Sequence, residues 1–170
     1  MSKGFRLAAE RLGDPAPDLA RGLALLGDTL QNEIGGSMGP IYGTFFGEMA
    51  DGFASAGVID RASFASSLAA ATDAVSELGG AKPGDKTLLD VLTPAVRAFE
   101  AAAAHDESFA SCLAAMSHAA DDGFAATRDL IARVGRAARL GERSRGVHDP
   151  GAASCRLLIN TLAGALRRRL

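Results

Sequence analysis

Three short stretches of this 170-residue chain concentrate the residue types that could do chemistry. "GGSMGP" (35–40) sets paired glycines and Ser37 ahead of a helix. "GGAKPGDKT" (79–87) carries Lys82, Asp85 and Lys86 around a proline–glycine turn. "GERSRGVHDPG" (141–151) carries Arg143, Arg145, His148 and Asp149 among three glycines. Glycines let a backbone come close to a ligand, and exposed N–H groups at a helix start attract phosphate. Each stretch also has a plainer reading. Ser37 suits a helix N-cap after a tight turn, and "KPGDK" is a β-turn whose lysines, taken alone, read as solvated. The third stretch is longer and more charged than a simple connection requires, because ordering a polar loop costs entropy. Its Asp149-Pro150-Gly151 reads as a rigid turn presenting backbone groups to a base or ribose, with His148 a loop hydrogen-bonder rather than a catalyst.

Other chemistries find no support. His105 and His118 fall on polar helix faces without a Cys or His at zinc-ligand spacing. No Ser-His-Asp set or P-loop can be assembled. No catalytic residue and no metal ligand is therefore assigned.

The elements that must hold these stretches read as helices. Leu and Ala dominate, aromatics are 5%, and β-branched residues are few, which favours helix over strand. The pattern predicts a short helix over 2–12, stopped by Gly13 and a proline-rich connection. A second runs from about Asp18 to Ile34 with Leu19, Leu23, Leu26, Leu30 and Ile34 on one face. A third carries Ile41, Phe45, Met49 and Phe53. A fourth, capped by Asp60, buries Phe64, Leu68, Ala71, Val75 and Leu78. A fifth runs from Thr87 to His105 with Asp85 as its cap. A sixth covers Ser108 to Arg133, and a last helix carries Leu157, Leu158, Leu162 and Leu166. No strand is expected. The sum is an all-α, single-domain antiparallel bundle or barrel of about seven helices spanning 1–170. In an up-and-down bundle the three polar stretches, each an even-to-odd connection, fall at one common end.

Composition bounds the partners. A net charge of -2 gives no case for nucleic acid, and Arg167-Arg168-Arg169 reads as a solvated helix end that suits the helix dipole. No run approaches the roughly 20 apolar residues of a membrane span, and the start lacks the apolar core of a signal peptide. Cys112 and Cys155 fit core packing in a reducing cytoplasm.

In this order on a helical chain, "GGSMGPIYGTFF", "AKPGDKTLLDVLTPA" and "GRAARLGERSRGVHDPGAAS" resemble the nucleotide-binding L subunit of dihydroxyacetone kinase (the DhaL type) over nearly the whole length. The resemblance implies an eight-helix antiparallel barrel, here without its first helix, that binds ADP or ATP with magnesium at one end. It implies phosphate transfer to dihydroxyacetone held on a separate K subunit, with recharging by a phosphotransferase-system M subunit in some bacteria and direct use of ATP in others. Carried over by motif, Ser37 and Met38 occupy the phosphate-side turn and Gly39 opens the following helix. Gly79 and Leu88 line the adenine pocket, Arg136 is the phosphate-side arginine, and Asp149, Pro150 and Gly151 close over the nucleotide. Three positions depart from the family pattern: Met38 stands where a serine is usual, Val147 precedes His148, and Ala153 replaces a common threonine.

The family's magnesium ligands are aspartates in a Gly-Asp-Gly-Asp-His-Gly-type loop. The resemblance aligns Met1 with a methionine that follows that loop, so loop and first helix are expected to be absent from the chain as given. Phosphoryl transfer depends on such ions, and Asp14, Asp18 and Asp28 are too scattered to rebuild the site. The 170 residues are therefore expected to be inactive or very weak by themselves, and the uncovered apolar groove is expected to favour a homodimer. The alternative to a kinase subunit is an inactive binding or regulatory module, and the reading frame upstream of Met1 discriminates the two.

Overall fold

A computed structural model of the chain describes residues 2–170, and among them every regular element is helical. The elements are α1 (Ser2–Arg11), α2 (Leu19–Glu33), α3 (Met38–Ala56), α4 (Arg61–Gly79), α5 (Leu89–Ala104), α6 (Phe109–Ala126), a 3-10 segment (Arg136–Ser144) and α7 (Pro150–Arg167). None of these helices is long and apolar enough to cross a membrane. The chain groups into two units, Met1–Gly79 and Gly80–Leu170.

In the first unit, acidic caps start two of the four helices, Asp60 as the sequence predicts and Asp18 in addition. Asp18 Oδ1 accepts from the Arg21 N–H at 2.9 Å, and Asp60 Oδ1 from the Ser63 N–H at 2.8 Å. Antiparallel packing of α2 on α3 depends on missing side chains. A Cβ on Gly27 would lie 2.9 Å from the Gly43 carbonyl, and one on Gly39 would collide with the Ile34 carbonyl. The core joins Leu30, Phe45, Met49, Phe53, Phe64, Leu68 and Val75, all 5% exposed or less. Phe53 stacks on Phe64 at 5.8 Å, and Gly52 faces Ser67, so α3 and α4 run antiparallel. Each has 19 residues, which brings Gly79 to the end where α3 begins.

In the second unit α6 packs antiparallel to both α5 and α7 around Val91, Leu92, Phe99, Leu113, Met116, Cys155 and Ile159. Pro94 lies inside α5 and has no N–H for the carbonyl of Asp90 four residues back. Gly123 of α6 packs against that same carbonyl, where any Cβ would collide. Proline and glycine thus set α5 and α6 in register beside the start of α5. Both cysteines are buried and neither is in a disulfide, and burial pushes the Cys155 thiol up to about 12.

Several expectations are corrected. The sixth helix ends at Ala126 rather than Arg133, because Thr127 turns its hydroxyl back to the Phe124 carbonyl at 2.7 Å. Asp85 does not cap α5. Its carboxylate accepts from the Lys82 N–H at 2.9 Å, closing its own turn, while Asp90 reaches back to the Thr87 N–H at 2.7 Å. Leu78 is 53% exposed, and Leu157 is 69% exposed because α7 buries Ala152, Cys155, Ile159 and Ala163 instead.

Candidate functional site

The second unit holds a rim built from the 82–88 turn, the chain from Thr127 to His148 and the start of α7. At its centre is Lys86, only 4% exposed, which corrects the solvated reading. Its ammonium donates to the carbonyls of Leu130 at 3.0 Å, Ser144 at 2.5 Å and Val147 at 2.7 Å. The backbone of Lys86 is left-handed (φ 61°), a region that side-chain-bearing residues enter only when the surroundings require it. Around it the chain is stitched to itself. Ser144 Oγ accepts from the Ala132 N–H at 2.9 Å and donates to the Gly141 carbonyl at 2.6 Å. The Gly146 N–H donates to the Arg128 carbonyl at 2.8 Å, and the Arg133 N–H to the Asp85 carbonyl at 3.1 Å. The long loop is therefore an ordered structure.

Asp149 joins this rim to α7. Its Oδ2 accepts from the Ala152 N–H at 2.7 Å as N-cap, and its own N–H donates to Thr127 Oγ1 at 3.3 Å. Pro150 opens the helix, where a missing N–H costs nothing. Burial raises the Asp149 carboxyl above its ordinary value, and the N–H groups of Ala152 and Gly151 oppose that rise. A Cβ on Gly151 would stand 3.6 Å from the Leu88 backbone nitrogen, so the starts of α5 and α7 meet there. His148 hydrogen-bonds the Phe124 carbonyl through Nδ1 at 3.2 Å and stacks on the Phe124 ring at 4.3 Å, the bonding role expected of it.

Of the sequence-predicted residues, Leu88, Asp149, Pro150 and Gly151 thus come together in the second unit. Arg136 is exposed on the 3-10 segment of the same unit. Residues 128–145 hold six arginines against Asp129 and Glu142, a local excess of positive charge suited to an anion. Ser37, Met38, Gly39 and Gly79 belong to the first unit. Ser37 is not a side-chain cap: its backbone is already right-handed helical (φ -72°, ψ -22°) and its hydroxyl makes no capping bond, while its carbonyl accepts from the Ile41 N–H at 3.1 Å. Sequence reasoning missed Lys86, Asp90, Thr127 and Ser144 as organisers of the rim. Only the density of turn-formers around Lys86 hinted at one of them.

The aspartates of the N-terminal region do other work. Asp18 caps α2, and Asp28 accepts from the Asn32 side-chain amide at 2.8 Å. No three His, Cys, Asp or Glu among the described residues are grouped to hold a metal.

Residues 1–164 match the DAK2 domain model. The chain is 34% identical over 168 residues to the ADP-binding subunit DhaL of the PEP-dependent dihydroxyacetone kinase of Escherichia coli, covering 98% of this chain and 80% of that subunit. It is 38% identical over 131 residues to a D-erythrulose kinase of Mycolicibacterium smegmatis, covering 77% of this chain and 23% of that enzyme. It is 34% identical over 176 residues to an L-erythrulose 1-kinase of the same organism, covering 99% and 30%. The chain thus spans less than a third of the length of the two erythrulose kinases. The chain therefore belongs to the DAK2-domain family.

Proposed function

We propose that residues 1–170 work as one nucleotide-binding helical domain, the ADP/ATP subunit of a dihydroxyacetone-type kinase in the cytoplasm. It would donate phosphate to a small ketose held on a separate K subunit, with a phosphotransferase-system M subunit as one source of phosphate. The observation that carries this reading is the ordered rim of the second unit, in which Asp149–Gly151 meets Leu88 and the arginine-rich segment 128–145 is bonded to the same turn. Those residues suit a nucleoside diphosphate. Gly151 leaves room beside backbone N–H groups, and Arg136 offers a free-standing guanidinium for a phosphate. What the chain's own groups contribute is binding, charge neutralisation and orientation of the nucleotide.

Magnesium does not fit the described residues, since they supply no carboxylate cluster. This supports a second reading, in which the 170 residues alone bind nucleotide without transferring its phosphate. Calorimetric titration with ADP separates the possibilities. Metal-independent binding, weakened by Arg136→Ala for ADP more than for adenosine, is the expected result. No binding would remove the nucleotide assignment, and strongly magnesium-dependent binding would remove the second reading.

A further inference from the structure

We infer that Lys86 is a positioning residue for the nucleotide site: its buried ammonium holds the 128–147 segment in the shape that receives the ligand, and it touches no phosphate itself. The inference rests on the nucleotide reading above and adds to it a role for a residue that chain pattern alone leaves on the surface.

An ammonium carries three N–H donors. All three are used, on carbonyls 44, 58 and 61 residues further along the chain. Those acceptors mark where the segment leaves α6, where its 3-10 part ends and where it approaches α7, so one side chain ties together its entry, middle and exit. A phosphate could be reached only by breaking one of these bonds. The left-handed backbone at Lys86 points the same way, since a non-glycine residue is kept in that region only where the fold demands its side chain in one direction. The rest of the segment leans on this tie. Ser144, whose carbonyl Lys86 holds, also bonds Ala132 and Gly141 through its hydroxyl, and Arg145 donates to the Asp129 carbonyl at 2.9 Å.

The test compares the wild-type chain with Lys86→Met and, as a milder loosening of the same segment that leaves the ammonium in place, Ser144→Ala. Hydrogen exchange is read over 128–147, and affinities are measured for ADP and for adenosine. Lys86→Met is expected to speed exchange over 128–147, leave the middles of α5 and α6 protected, and weaken both ligands by about tenfold or more with their ratio kept. Ser144→Ala should do the same to a smaller degree. Aminoethylation of Lys86→Cys, which rebuilds the ammonium, should restore both readouts. A loss confined to ADP would make Lys86 a phosphate ligand and overturn the inference, as would unchanged exchange in both variants. Absence of ADP binding by the wild-type chain would instead overturn the nucleotide reading. Faster exchange in the variants would still identify the tie, so the two failures are distinguishable.

Discussion

Two helix starts in this protein carry a serine or aspartate and a glycine, and they are built in opposite ways. At α7, Asp149 caps the helix with its carboxylate, receives Thr127 through its own N–H and stands beside a loop tied down by Lys86. At α3, Ser37 is already helical in backbone and its side chain caps nothing, while Gly39 packs against the Ile34 carbonyl. The first start is satisfied by side chains, its own and that of Thr127. The second keeps its first-turn N–H groups free of side-chain partners. A self-satisfied start positions its neighbours, whereas an uncapped one has unspent donors for an anion.

Substitutions can break this contrast in order of size. Lys86→Met leaves three carbonyls without their donor and should cost about 2–4 kcal/mol in chemical denaturation. A cost under about 0.5 kcal/mol would mean that water replaces the ammonium without loss. Gly39→Ala places a methyl against the Ile34 backbone and should cost about 1–3 kcal/mol, since backbone cannot rotate away as a side chain can.

Asp149→Ala should cost about 1–2 kcal/mol as a lost cap, and Asp149→Asn should recover most of it. The pH dependence of that pair sharpens the point. Because burial raises this carboxyl, the folded state holds its proton more tightly than the unfolded chain does. Its contribution is fully present below the ordinary carboxylate range and is withdrawn as pH rises through the raised value. The stability of wild type relative to Asp149→Asn should therefore fall as pH rises from the ordinary carboxylate range through the raised value. A relative stability that climbs with pH would show the capping N–H groups outweighing burial. Smallest of all, Ser37→Ala should change stability by less than about 0.5 kcal/mol, since no capping bond is lost. A loss comparable to that at Asp149 would erase the distinction between the two starts.

How much of this was legible in the chain depends on how local the cause is. Asp18, Asp60 and Ser108 mark helix starts through bonds three residues long, and the structure has each of those caps. The apolar stripe of α7 was misread because leucines were followed, while the buried face uses Ala152, Cys155 and Ala163, whose small side chains carry little hydropathic signal. The end of α6 was overrun because Ile131 continues the apolar spacing after Thr127 has turned the chain out of the helix. Ser37 has a cap's residue type without a cap's backbone angles. Lys86 was the least readable, because its partners lie 44 to 61 residues away and a lysine between turn-formers looks the same solvated or buried. For the candidate site, the motifs located the rim, and tertiary bonds decided which of its charges face outward.

The burial of both native thiols has a practical consequence. A protein whose cysteines are covered, one of them with a thiol pushed up to about 12, is nearly silent toward maleimides while folded. A dye attached to Val147→Cys, at an exposed position, would then be the chief label on the molecule and a reporter on the 128–147 segment. Adding ADP should shift the emission of that dye as the segment takes up the ligand.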